Sequence, residues 1–228
     1  SQAEWAIVAL SLRVTLVAVL ATLPIAYGLA WVLARRRFPG RILLDAVVHL
    51  PLVLPPVVTG YALLLLFGRN GPIGAVLDQA FGITLAFRWT GAALAAAIMA
   101  LPLMVRAMRL SIEAVDRKLV EAAWTLGASR WRAFLTVTLR MSLPGICAGS
   151  ILGFARSIGE FGATITFVSN IPGETRTLPL AIYTGLQVPG TDLAVARLAI
   201  IAIVLSMAAL IVSEWLMRRS VGGRTHVL

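Results

Sequence analysis

Reactive side chains are scarce in this chain: its 228 residues include one cysteine, Cys147, one lysine, Lys118, and two histidines, His49 and His226. Each scarcity excludes something. A lone cysteine forms no internal disulfide, and Cys147 in its apolar run reads as a small packed residue. A phosphate-binding P-loop needs Gly-Lys followed by Ser or Thr, but Lys118 stands between Arg117 and Leu119. That route to ATP is closed. With His49 in an apolar run and His226 near the C-terminus, no zinc site or nucleophile–base pair suggests itself. No catalytic residue, metal or bound cofactor is therefore expected on this chain. Alternating strand patterns with turn signals are missing too, so barrel strands are not expected as membrane spans.

Apolar residues fill the space left by these absences. They make up 59% of the chain against 13% charged, where soluble domains carry roughly a quarter charged. Crossing a hydrocarbon core as helix takes about 20 residues. Five stretches qualify: 14–33, 46–67, 90–105, 141–168 and 198–217. The expected fold is all-α, a polytopic transmembrane bundle in one domain, 1–228. The third stretch is short and must borrow length from its flanks, with Arg88 and Arg106 snorkelling outward. The segment before Gly190 is too polar and interrupted for a clear sixth span, though a re-entrant piece would fit there.

Basic residues set the orientation. The loops after spans one and three and the tail at 218–228 hold fourteen Lys and Arg, against five on the opposite side, Arg13, Arg69, Arg88, Arg176 and Arg197. That bias predicts an outside N-terminus and a cytoplasmic C-terminus in a bilayer. Topology thus accounts for the net charge of +10, and nucleic-acid binding is not expected. Trp5, Trp31, Trp89 and Trp215 fall near span ends, where indoles suit the interface. Span one is not read as a signal peptide, because its arginines follow the apolar run. The absence of an initial Met suggests that residues precede Ser1.

The basic loop between spans three and four, about 111–142, has its own pattern. Ile112, Val115, Leu119, Ala122 and Ala123 fall near helical spacing, with acids and arginines between them. Gly127 fits a helix C-cap, and Ser129 can cap a second helix through Trp131 and Phe134 toward Pro144. Spacing alone fits two uses: a knuckle on which a partner closes, or an amphipathic helix lying in the headgroups.

The run EAAWTLGASRWRAFLTVTLRMSLPGI at 121–146 resembles the EAA loop of ABC importer permeases. HLPLVLPPVVTGY at 49–61, LPLMVRAMRLSIEAVD at 101–116 and FARSIGEFGATITFVSNIPGETRTLP at 154–179 resemble, more narrowly, molybdate permease subunits. The resemblance implies a homodimeric pathway and two ATP-binding cassette subunits that hold ATP and Mg. It also implies a periplasmic or lipoprotein oxyanion-binding protein, and residence in a bacterial inner membrane. By the same resemblance Glu121, Ala122, Ala123 and Gly127 form the docking contact. Arg140 departs from the pattern, since relatives can carry proline there. Some relatives carry a domain that senses internal substrate and stalls the motor; the short tail leads us to expect none here. Tungstate or sulfate/thiosulfate remain alternative cargoes. A motor-independent channel or carrier would show an inverted repeat or a chain of ionisable residues along several spans, and neither is visible.

Charges inside the fourth apolar run draw notice because each costs about 2.5–3.5 kcal/mol at mid-bilayer. Arg156 and Glu160 are expected four apart on one helical face, either as a packing ion pair or lining the path. Ser157, Thr164 and Thr166 are candidates to ease the passage of a dianion. Pro51, Pro55 and Pro56 should interrupt span two. Asn170, Pro172, Glu174 and Arg176, in the turn-rich loop at 170–180, are placed to meet a binding protein or to serve as a connector.

Overall fold

The computed structural model describes residues 2–222, apart from the side chains at 213, 214 and 216–222, and all regular structure among these residues is helical. The all-α expectation holds. Helix α1, Gln2–Arg35, runs far beyond the expected 14–33. Arg13 reads as a boundary in a hydropathy window, but its guanidinium lies 3.8 Å from the centre of the Trp89 ring. A cation over an indole face is stabilised, so the helix need not stop there.

Span two is two half-helices, α2 (Arg41–Val53) and α3 (Pro56–Phe67), bent by 115°. The break lies at Leu54 and Pro55, both extended. Pro55 and Pro56 supply no N–H, and each disfavours helical geometry in the residue before it. Pro51 stays inside α2. A short helix α4, Pro72–Phe81, leads to α5, Trp89–Glu113. The third span thus borrows its missing length, as expected, mainly past Val105.

After α6 (Arg117–Thr125), α7 (Arg130–Ala133) continues through a π-helical turn, Phe134–Leu139, into α8 (Arg140–Ile158). Together they form one 29-residue helix. The expected fourth span at 141–168 is therefore shifted. Arginines 130, 132 and 140 hide its true start from a hydropathy window, while Gly159 ends it early. Residues 162–168 form a separate helix, α9 (Gly162–Val168). Helix α10, Leu178–Gly185, has eight residues and is too short to cross. Helix α11, Asp192–Gly222, is the last span and absorbs part of the expected tail; residues 223–228 lie outside the described residues.

Two buried clusters show which elements cross. One joins Val14 and Ala18 of α1, Leu63 of α3, Ala92–Met99 of α5 and Phe167 of α9. The other joins Ala26–Leu33 of α1, Val48 of α2 and Met104–Ile112 of α5. Thus α1 and α5 run parallel, and the broken pair α2–α3 travels from one half of the bundle to the other. It is a crossing, not a loop that turns back. With α7–α8 and α11, the crossings among the described residues are five.

Small residues let α8 approach α5. A Cβ at Gly145 would lie 2.2 Å from Ser111 Cβ, and one at Gly153 would lie 2.6 Å from Met104 Sδ. Close backbone approach is how membrane helices associate where no hydrophobic force separates helix from lipid. Near the N-terminus, Leu178 N–H donates to Ser11 Oγ at 2.7 Å, fastening α10 to α1.

Candidate functional site

The elbow between α5 and α8 is built by its caps. Asp116 accepts a hydrogen bond from Lys118 N–H at 2.9 Å and starts α6. At the other end Ala128 N–H donates to Ala123 O, and Gly127 N–H to Trp124 O, both at 2.9 Å. This paired closure is the Schellman arrangement, and it needs a residue of positive φ at the turn. Gly127 supplies φ +85. Ser129 Oγ then accepts from Arg132 N–H at 3.3 Å and opens α7. The glycine cap and the serine cap both fall where the sequence places them.

No residue of α6 is buried. Helical spacing divides it into two opposed faces. Arg117, Val120, Glu121 and Trp124 turn inward and line a hollow. Leu119, Ala122, Ala123 and Leu126 share the outer face, where Leu126 is 88% exposed and Leu119 45%. Glu121 is therefore separated from Ala122 and Ala123, although the three are consecutive. The helix presents a small-residue apolar surface outward.

The end of α1 supports this elbow, a role that sequence reading missed. Arg35 Nη2 donates to Ile112 O at 2.9 Å and Val115 O at 2.8 Å. Phe134 meets Tyr27, Trp31 and Trp131 edge to face, with ring centres about 6 Å apart. Tyr27 and Ser142 share a hydroxyl hydrogen bond of 2.9 Å. The available signal was the spacing of Tyr27, Trp31 and Arg35 on one face of α1, masked by reading Trp31 only as a lipid anchor.

Deeper in the bundle, Arg156 and Glu160 do form an ion pair, Nη1 to Oε2, but not along one helix. Glu160 lies beyond the end of α8, in the break before α9. That corrects the expectation of a shared helical face. Glu160 is 3% exposed, and its other oxygen accepts from Ala163 N–H at 2.9 Å. One carboxylate thus ends one helix and starts the next, where N-terminal N–H groups favour an anion. Ser157 and Thr164 are buried, with Ser157 Oγ 3.5 Å from Ala96 O. Thr166 bonds back to Gly162 O at 2.9 Å. Arg156 and Thr166 are the partly exposed members of this group. The broken span and α9 touch here: a Cβ at Gly60 of α3 would lie 2.5 Å from Ala163 O, and one at Gly162 would lie 2.7 Å from Pro56 Cβ.

Loop 169–177 is internally tied. Arg176 Nε donates to Asn170 Oδ1 at 2.9 Å, and Asn170 Nδ2 donates to Thr184 Oγ1 at 2.5 Å. Glu174 Oε1 accepts from Trp89 N–H at 3.4 Å. Pro172 and Gly173 remain exposed at its tip.

Five crossings among the described residues, one of them broken and packed on the short helix that follows the fourth, with an exposed amphipathic elbow between the third and fourth, define a membrane transport permease. The chain belongs to the family of binding-protein-dependent transport system inner membrane components, whose model matches residues 12–221. It is 62% identical to the molybdenum transport system permease protein ModB of Escherichia coli over 217 residues, 95% of each chain. It is 58% identical to ModB of Haemophilus influenzae over 210 residues, 92% of each. A crystal structure of a bacterial ABC transporter involved in alginate import shares the fold, with a TM-score of 0.75 at 18% identity. That match covers 96% of this chain and 80% of the other.

Proposed function

We propose that this chain is the membrane-spanning subunit of an ATP-driven molybdate importer. Two copies form the pathway, and two separate ATP-binding cassette subunits hold ATP and Mg. A periplasmic or lipoprotein binding protein delivers the oxyanion. The N-terminus faces outside and the basic elbow faces the cytoplasm, in keeping with the arginine bias. The observation that carries the cargo is identity of 62% with the E. coli relative across 95% of both chains. The chain itself is not an enzyme in this reading.

The elbow is the handle. Leu119, Ala122, Ala123 and Leu126 are the face on which a motor subunit closes, and Gly127 sets the angle of that face. Displacement of Ser129 travels along the helix from Arg130 to Ile158, about 43 Å at 1.5 Å per residue. It arrives at the Arg156–Glu160 break and at the contact of α9 with α3. Rocking at that contact opens the path to alternate sides, a rigid-body switch of the broken span against α9. Arg156 is the group offered to a dianion; Glu160 organises the break and repels cargo. Pro172 and Gly173 at the tip of the outer loop are what a binding protein would touch first, with Asn170, Glu174 and Arg176 holding that tip in shape.

The test is co-expression with the ATPase subunits, reconstitution in proteoliposomes, and ATPase assay with binding protein loaded with molybdate, tungstate or sulfate. Stimulation by molybdate-loaded protein is expected. Oxyanion uptake by the chain alone, without nucleotide, would overturn the reading.

A further inference from the structure

A hollow of about 640 Å³ lies between the end of α1, the inner face of α6 and the start of α7. Its walls include Arg36, Arg117 and Arg130 and the tryptophans Trp31, Trp124 and Trp131. Arg36 lies 5.3 Å from the centre of the Trp31 ring. Arg35 also reaches the hollow, but its Nη2 is engaged by two carbonyls. Among the described residues, none of Arg36, Arg117 and Arg130 lies within ion-pair distance of a carboxylate. Glu121 is the one acid on the wall.

Three like charges around one concavity repel each other, and an anion seated among them relieves that repulsion. Indoles and arginine stems add apolar surface beside the charges, which suits a ligand that is anionic at one end and greasy at the other. Size separates the candidates. A water occupies about 30 Å³ in the liquid, so a bare inorganic oxyanion would leave most of the hollow to solvent. A glycerophosphate with the first methylenes of its chains would fill it. The place fits as well, because the hollow opens where span one ends and basic pockets between spans take anionic headgroups. A protein partner, on the function proposed above, takes the opposite face of α6, which points away from the hollow.

We propose that this hollow binds one anionic phospholipid of the adjacent leaflet. Arg36, Arg117 and Arg130 grip the phosphate, and Trp31, Trp124 and Trp131 flank the glycerol and first acyl carbons. The lipid wedges between α1 and α6 and stiffens the elbow. This site does not depend on which cargo the chain carries.

The test uses the full chain in nanodiscs of phosphatidylcholine containing either brominated phosphatidylglycerol or brominated phosphatidylcholine at equal mole fraction. Bromine quenches tryptophan on contact. Phosphatidylglycerol should quench by at least roughly twofold more. The Arg36→Gln/Arg130→Gln double variant should lose that excess, and Arg36→Lys/Arg130→Lys should keep most of it. A Trp31→Phe/Trp124→Phe/Trp131→Phe variant, which leaves every arginine in place, should lose it too and decides the matter if the Gln variant is not recovered. Equal quenching by the two lipids in the unaltered chain overturns the proposal. So does an excess that survives both the Gln and the Phe variants. Abolition of the excess by millimolar sodium phosphate, but not by sodium chloride of the same ionic strength, would assign the hollow to a free oxyanion and overturn the lipid.

Discussion

Arg35, the last residue of the first span, donates from Nη2 to the carbonyl of Val115, just past the third span, at 2.8 Å. The same nitrogen reaches Ile112 O. Carbonyls at a helix C-terminus lack intrahelical partners, and a cation there satisfies them and complements the helix dipole. Two parallel spans are thereby tied together immediately before the elbow.

Arg35→Met should cost about 1.5–3 kcal/mol, the range for hydrogen bonds to a charged group, and at the lower end because Arg35 is only partly buried. Thermal unfolding in detergent would register the loss. Arg35→Lys should recover only part of it, since a point charge cannot reproduce the planar fork.

Gly127 should tolerate size but not shape. A Cβ there meets nothing within 4 Å, yet φ is +85. Gly127→Val should cost about 1–2 kcal/mol of backbone strain at the elbow, Gly127→Asp less, and Gly127→Asn least. Normal insertion with weakened co-purification of the ATPase subunit, graded in that order, is the expected result. An intact complex recovered from all three variants would count against the handle.

Glu160→Gln keeps an acceptor for Ala163 N–H but leaves Arg156 without its countercharge. Removing one partner of a buried pair costs about 3–5 kcal/mol, and less is expected here because the Arg156 side chain is 26% exposed. A fall in melting temperature together with impaired transport is expected; unchanged values of both would refute a role for the break.

Gly145 and Gly153 offer a paired comparison on one helix. Alanine at 145 strikes Ser111 Cβ, which cannot swing away, while alanine at 153 strikes Sδ and Cγ of Met104, which can turn about its side-chain bonds. Overpacking of about 1–3 kcal/mol should therefore appear for Gly145→Ala and be much smaller for Gly153→Ala, read as detergent melting temperatures.

Much was decided by residue order alone. The apolar runs, the arginine bias, the Gly127 turn, the Ser129 cap and the Pro55–Pro56 break are local properties, set by side-chain solvation and by which backbone angles a residue permits. Tertiary structure decided the rest. Hydropathy counts apolar side chains and ignores helix continuity, so it could not see that the fourth span starts at Arg130 and stops at Ile158, or that Glu160 sits in a break. Nor could spacing show α1 beneath the elbow: Arg35 and Val115 are distant in sequence, and only packing brings the guanidinium to the carbonyl.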